Sequence, residues 1–494
     1  MFTASKPRSI RRPSVIGRSR RAHAAALVAV AAVALSSAVS GCTLLDSSTV
    51  VVKVGYQSKT INTINAGTLM RDRGEFENAL REVGERTGLK YRVVWQDFSS
   101  GAPLTAAMIA THVDIGSMGD YPLLANGSKT AKYADAATEL IAVTGYNLRG
   151  SLNQVVVPND SSATTLGDLR GKNVSTSLGS AGDGMLSSAL SRAGVAAGEL
   201  AIANQDPAIG AAAIQGGQVD ALAQFVPWPQ LVVFRGQGRL LYDGGDNNTP
   251  TFHGVVARKQ FTSAHPEVTA AFLRAMQATT RYIITEPLQA AQRIGALTGI
   301  EPEVAYLYNG PNGLVSFDPT LKTQFLGALD TAKEFLVRRG SVTAGFEIAD
   351  FRNDSYLRTL LGAEYDATAA EVTNPSKLTG FDELCQLPVA DAATASEVWF
   401  TAQPGTTVAA TPSCLLRRIA PTAERVRAGY VPDTITATKL FADKASWVID
   451  PAAPATARYL PFATAAAAAN YVAEHPGTRS VTYAAALTQS LPTS

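Results

Sequence analysis

From Thr49 onward, short β-branched runs alternate with helix-periodic segments, and this alternation constrains the fold more than any other feature of the chain. Thr49 to Tyr56, with Val50, Val51, Val52 and Val54, reads as a buried strand, followed by a polar segment rich in Asn and Thr. A helix from about Glu75 places Phe76, Leu80 and Val83 on one face and stops at Gly88. Lys90 to Gln96 then reads as a strand, Leu104 to Ala110 as a helix, Val113 to Ser117 as a short strand and Tyr121 to Gly127 as a short helix. Leu140 to Thr144, Gln154 to Pro158 and Asn173 to Ser177 are further strands. The helix Met185 to Ala193 buries Leu186, Ala189 and Leu190 and ends at Gly194. The pattern predicts an α/β fold with a parallel sheet covered by helices on both faces.

From Pro266 to Gly340 the pattern is mostly helical, and Leu321, Phe325, Leu329, Ala332 and Leu336 mark one long amphipathic helix. Near Thr373 the texture changes. Pro404, Pro412, Pro432, Pro451 and Pro454 break up short strand-like pieces, which places a domain boundary there. Ala463 to Ala473 reads as an alanine-dense helix, with Phe462 and Tyr471 giving it something to bury.

Ahead of the first strand, Arg8, Arg11, Arg12, Arg18, Arg20 and Arg21 precede an apolar run too short to span a bilayer, closed by Val39-Ser40-Gly41-Cys42. This quartet resembles the bacterial lipobox. The resemblance implies a lipoprotein signal peptide over residues 1–41 and an acylated Cys42 as the new N-terminus. The mature chain is then exported, extracytoplasmic and lipid-anchored to the cell membrane. An ordinary signal peptide, or an anchor helix that happens to contain a cysteine, are the alternatives.

The chain has 494 residues, enough for two or three domains. Its formal net charge is +2, but the head alone carries six arginines and Lys6, so the remainder is near neutral or slightly acidic. Nucleic acid as a partner is excluded on that ground, since it demands a basic patch. Besides Cys42 the chain contains Cys385 and Cys414. In an oxidising compartment these two are a disulfide candidate; a soft-metal site or two unpaired buried thiols are the other readings.

Three loops stand at the C-terminal ends of expected strands, where open parallel sheets bind ligands. They are Phe98-Ser99-Ser100-Gly101-Ala102-Pro103, Gly116-Ser117-Met118-Gly119-Asp120-Tyr121-Pro122, and Leu178-Gly179-Ser180-Ala181-Gly182-Asp183-Gly184. Unpaired N–H groups at a helix start, a serine hydroxyl and glycine's close backbone approach suit a small anion. None is followed by the Lys-Ser/Thr of a nucleotide phosphate loop. Taken singly, each is also a good cap or turn.

Val54-Gly55-Tyr56-Gln57, the run Phe98 to Pro103, Val113 to Pro122, Asp168-Leu169-Arg170-Gly171-Lys172 and Gly217-Gln218-Val219-Asp220-Ala221 resemble, in order and spacing, solute-binding proteins of ATP-driven importers for aliphatic sulfonates, taurine and nitrate. The match runs from about Val50 to Val342. The resemblance implies a type II periplasmic-binding-protein fold of two lobes joined by a hinge, with a small anionic solute caught between them and passed to an ABC permease. It implies a first lobe over residues 42–150 and 248–345, a second over 151–247, and crossings near Gly145 to Ser151 and Asn247 to His253. A linker follows over 346–372. Carried over by position, the cleft is lined by Gln57, Ser99, Ser100, Gly101, Ser117, Gly119, Asp120, Ser180, Ala181, Gly182 and the segment Phe225 to Trp228. Arg149, near one crossing, is a candidate counter-charge or a solvated surface residue. Asp120 is placed either to receive an amine or to cap its helix. Where the sulfonate binders carry an aromatic-acidic-Pro triplet, this chain has Phe225-Val226-Pro227.

In the tail, Gly380 to Cys385, Thr411 to Leu416, Phe441 to Ala445, and Tyr459 to Thr464 through Ala473 to Gly477 resemble the copper-binding accessory lipoproteins of nitrous oxide reductase, the NosL family. The resemblance implies a small α+β domain over residues 373–494. That family's paired-cysteine and methionine positions are not matched, since Cys385 has no Cys or Met neighbour in sequence and Ala455-Thr456-Ala457-Arg458 fills the methionine-bearing stretch. Copper wants clustered thiolate, thioether or imidazole ligands, and the tail offers Cys385, Cys414 and His475. Two readings stand: a metal-free docking module, or a copper-binding or metallochaperone accessory domain. The expected function is a monomeric, non-enzymatic carrier without cofactor or metal. His112, His253 and His265 read as structural. An enzyme of thiamine-precursor type is a third reading.

Overall fold

The structure is a computed structural model and describes residues 49–490; the expected signal peptide and Cys42 lie outside the described residues. In chain order the strands of the first part are β1 (Thr49–Tyr56), β2 (Lys90–Asp97), β3 (Ile115–Gly119), β4 (Thr138–Asn147), β5 (Asn153–Val157), β6 (Asn173–Thr176), β7 (Ala201–Asn204), β8 (Ala221–Phe225), β9 (Arg239–Asp243) and β10 (Thr251–Arg258). They form two five-stranded sheets, ordered β2-β1-β3-β10-β4 and β7-β6-β8-β5-β9. Each sheet is the centre of one lobe.

The two sheets share a plan. β1 and β3 are parallel, as are β6 with β7 and β8. The fourth strand of each sheet instead runs antiparallel to both neighbours: β10 against β3 and β4, β5 against β8 and β9. The expected all-parallel sheet is therefore corrected to a mixed one. The cause is connectivity, because β5 and β10 are the first strands laid down after the chain passes from one lobe to the other.

Those two passages run side by side. In the first, the side-chain carbonyl of Asn147 accepts from the backbone N–H groups of Arg149, Gly150 and Ser151 at 3.0, 2.8 and 3.1 Å. In the second, Thr249 N–H donates to the Arg149 carbonyl at 3.0 Å. Gly150 has φ +111°, a conformation that side chains with a Cβ resist.

Helices Pro266–Thr285, Pro287–Thr298 and Pro302–Asn309 pack onto the first lobe's helical turn Ile61–Ala66 and its neighbour Thr68–Arg73. The amphipathic helix is Thr323–Arg338, with Phe325, Leu329, Ala332 and Leu336 buried. Residues 346–372, expected as a linker, instead form helices Ile348–Phe351, Ser355–Leu361 and Tyr365–Ala370. Leu357 and Tyr365 enter the first lobe's core, and Asn353 N–H donates to the Leu140 carbonyl at 2.8 Å, so the segment is part of that lobe.

The C-terminal domain is built from β11 (Gly380–Asp382), β12 (Leu387–Val389), β13 (Ser396–Phe400), β14 (Thr406–Ala409), β15 (Val426–Pro432), β16 (Lys439–Phe441), β17 (Ser446–Ile449), β18 (Tyr459–Phe462) and β19 (Arg479–Val481). A hairpin pairs β11 with β12; sheets ordered β14-β13-β15-β16 and β18-β17-β19 follow, with helices Pro412–Ile419, Ala465–Glu474 and Tyr483–Ser490. This is the small α+β domain expected. Cys385 and Cys414 are joined, with Cα atoms 6.2 Å apart. Bonded sulfurs are neither free thiols nor soft-metal thiolates, so those two alternatives fall away. No helix of the described residues is long and apolar enough to cross a membrane.

Candidate ligand-binding cleft

Every predicted loop lies where a strand ends and a helix begins. β1 leads into Gln57; β2 leads through Ser99 and Ser100 into helix Gly101–Ile109; β3 leads through Gly119 into Asp120–Thr130. In the second lobe, β6 leads through Ser180 into Ala181–Arg192, β7 through Asp206 into Pro207–Gln215, and β8 through Phe225 into Trp228–Phe234. All six face the seam between the lobes or pack the walls behind it.

At the centre of the seam the lobes touch. A Cβ built on Gly119 would stand 3.2 Å from Ala181 Cβ and 3.1 Å from the His253 ring, so a side chain there would have to push these neighbours back by a few tenths of an ångström. Behind this contact, Gly182 packs on the backbone of Gln224 and Phe225, and Phe225 stands 6.4 Å from the His253 ring. His253 Nδ1 is 2.7 Å from Asn62 Nδ2. Burial depresses the imidazole to about 3, so it is neutral and accepts from the amide. Sequence reasoning set His253 aside and passed over Asn62, which is 191 residues away; only the polar character of the segment after β1 hinted at it.

Two hollows open along the seam. One, of about 300 Å³, joins Gln57, Thr60, Phe98 and Ser99 of the first lobe to Pro207, Ile209 and Trp228 of the second. The starts of helices Gly101–Ile109 and Pro207–Gln215 meet here: Ser99 Oγ donates to Asp206 Oδ1 at 3.4 Å across the seam. Neither Ser100 nor Asp206 caps its helix with its side chain, leaving N–H groups at both ends uncapped. Gln57 Nε2 donates to the Ser117 carbonyl at 3.0 Å, while the Ser117 hydroxyl is buried without a partner. The other hollow, of about 330 Å³, is lined by Gly101, Tyr121, Ser180, Asp183 and Arg339. There the Ser180 hydroxyl is taken up as a helix cap, accepting from Asp183 N–H at 3.2 Å.

Two predicted residues stand elsewhere. Asp120 lines a small cavity of about 60 Å³ with Thr251 and Arg192. Burial lifts its carboxyl to about 6, against hydrogen bonds from Thr251 Oγ1 at 2.7 Å and Tyr121 N–H at 2.9 Å. Arg149, offered as counter-charge to the anion, applies its charge to Asp246 of the second passage. The cationic residue in the lining of the 300 Å³ hollow is Lys59. Polar donors and helix starts, rather than a buried arginine, thus characterise this cleft.

Residues 125–290 match the family model described as NMT1/THI5 like. The chain is homologous to sulfonate- and taurine-binding proteins. It is 27% identical over 308 residues to the taurine-binding periplasmic protein of Escherichia coli K12, which covers 59% of this chain and 91% of that protein. It is 27% identical over 236 residues to an E. coli K12 protein described as aliphatic-sulfonate-binding, covering 47% of this chain and 66% of that relative, just under two thirds of its length. Among solved structures, the alkanesulfonate-binding protein of Xanthomonas axonopodis pv. citri, bound to MOPS, superposes with a TM-score of 0.51 at 20% identity, over 62% of this chain and 98% of that one. The nitrate-binding protein of Synechocystis PCC 6803 gives 0.50 at 13% identity, over 67% and 93%. These likenesses establish the type II periplasmic-binding-protein fold, to which the C-terminal domain is an addition.

Proposed function

We propose that this chain is the lipid-anchored, extracytoplasmic solute-binding subunit of an ABC importer, capturing a small oxyanion such as a sulfonate, taurine or nitrate between its lobes and delivering it to a membrane permease. The observation that carries this reading is the pair of matched sheets linked by two adjacent passages, with uncapped helix starts of both lobes meeting at one hollow. Uncapped N–H groups and hydroxyls give a small anion charge-assisted hydrogen bonds without a salt bridge. The described relatives are named for binding, and His253 hydrogen-bonds an amide rather than a nucleophile. We therefore read the chain as a carrier and not as an enzyme. The Cys385–Cys414 bond takes two of the three ligands that a copper reading of the tail would need, leaving His475.

The test is a thermal-shift series on the chain from residue 43, with taurine, methanesulfonate, nitrate and bicarbonate. A ligand that binds only the folded state raises the midpoint with its concentration. No rise with any of the four at millimolar concentration rejects the oxyanion reading. Anchoring is tested apart from binding: Cys42→Ser should move the exported protein from the membrane fraction to the soluble one, and retention on the membrane would refute lipidation.

A further inference from the structure

The C-terminal domain grips three parts of the molecule at once. On the first-lobe side, its β13–β16 sheet faces helix Pro302–Asn309. Tyr306 Oη donates to Glu397 Oε2 at 2.8 Å, and the Tyr306 ring lies 5.9 and 5.3 Å from the rings of Trp399 and Tyr430. Lys439 Nζ joins Glu397 Oε1 at 2.5 Å and donates to the Pro311 carbonyl at 2.8 Å, and Arg427 Nε donates to Glu303 Oε1 at 2.7 Å. On the second-lobe side, Phe441 lies 5.0 Å from Phe234, at the end of helix Trp228–Phe234, and both pack in one core. At the passages, the fully buried Ser151 hydroxyl is 3.2 Å from the Thr438 hydroxyl, and the charge of Asp433 acts on Asp243 and Asp246.

We propose that the C-terminal domain is a built-in brace that restrains how far and how readily the two lobes swing apart. Lobe rotation about the passages must move helix Pro302–Asn309 relative to helix Trp228–Phe234, and the domain holds both. The grip on the first-lobe side comprises the Arg427–Glu303 ion pair, hydrogen bonds through Tyr306 and Lys439, and a cluster of three aromatic rings; the grip on the second lobe and the passages comprises one ring pair and a hydroxyl contact. On opening, the domain therefore stays with helix Pro302–Asn309, and Phe441 parts from Phe234. Opening exposes that apolar contact to water, which biases the pair of lobes toward the closed arrangement. A carrier biased toward its binding-competent form loses less affinity to the conformational step. Only this effect on affinity rests on the carrier reading; the restraint itself is observable without ligand.

The experiment uses the chain from residue 43 with spin labels at Glu82→Cys and Ser191→Cys, exposed positions on the first and second lobes. Inter-lobe distance distributions are recorded by pulsed electron resonance for this parent, Phe441→Ala, Phe441→Leu and Thr438→Val. Release of the brace should broaden the ligand-free distribution toward longer distances in Phe441→Ala and, to a lesser extent, in the other two. It should also weaken taurine binding at least five-fold if taurine binds the parent. Identical ligand-free distributions for the parent and every variant that keeps a cooperative unfolding transition overturn the proposal. Phe441→Leu keeps most of the apolar volume, so the question stays decidable if the alanine variant does not fold. If taurine, methanesulfonate and nitrate leave the parent's distribution and midpoint unchanged while Phe441→Ala broadens it, the oxyanion reading fails and the brace stands.

Discussion

Gly150 and Gly244 lie backbone to backbone where the chain passes twice between the lobes: a Cβ on Gly150 would stand 2.7 Å from the Gly244 carbonyl oxygen, and one on Gly244 would stand 2.6 Å from the Gly150 carbonyl oxygen. With φ +111° at Gly150, an alanine there meets both a backbone clash and a disfavoured conformation. Gly150→Ala should cost about 1–3 kcal/mol of stability, read as a lower urea midpoint with an unchanged slope. A midpoint equal to the parent's would show that the two passages do not lie this close.

Asp120 sets a pH dependence of known sign. Its carboxyl titrates near 6 in the folded chain against 3.8 when unfolded, so its contribution is fully favourable below about pH 3.8 and is lost as pH rises through 6. The loss amounts to roughly 3 kcal/mol. Asp120→Asn keeps the acceptor for Tyr121 N–H and can donate to the Thr251 hydroxyl. It should therefore be more stable than the parent at pH 7.5, with the difference shrinking toward pH 4. His253 runs the other way, protecting stability above 6.5 and losing it as pH falls toward 3, but it is common to both chains and cancels in the comparison. A stability difference that does not vary with pH would refute the assignment.

The two serines of the predicted site should separate. Ser117→Ala removes a buried hydroxyl that has no partner, so it should leave stability within about 0.5 kcal/mol while weakening binding of any anion that the hydroxyl contacts. Ser180→Ala removes a helix cap and should cost about 1 kcal/mol. Urea unfolding and calorimetry on both variants check this; equal stability losses would mean the hydroxyl roles are misassigned.

The buried Lys439–Glu397 pair should behave asymmetrically. Lys439→Met alone strands the Glu397 carboxylate and should destabilise by about 3–5 kcal/mol, whereas Lys439→Met with Glu397→Leu should recover most of that loss. Additive losses in the double variant would contradict a directly coupled pair.

Much of this was legible in the residues because local signals and the fold agree. The run of valines became β1 over the expected Thr49–Tyr56, and Gly88, at φ +71°, ended helix Glu75–Thr87 where the pattern placed the stop. Strand direction was not legible: hydrophobic periodicity is the same whichever way a strand runs, so the reversal of β5 and β10 had no local mark. The segment 346–372 looked like a linker because its helices are short, and core residues such as Leu357 and Tyr365 bury only against a lobe built elsewhere in the chain. Apart from Asp120 and Arg149, the expected site residues lie along or behind one seam, but the division of roles among them was hidden. Whether the Ser117 hydroxyl stays unpartnered or Ser180 caps its helix is decided by partners distant in sequence or by backbone geometry.

From residue 43 onward both cysteines belong to the C-terminal domain, and the lobes contain none. Material produced in a reducing cytosol would therefore carry intact lobes beneath a domain lacking its covalent staple, whereas secreted material would carry it closed. The route of production thus selects which form of the protein is purified, and assays on the two preparations need not agree.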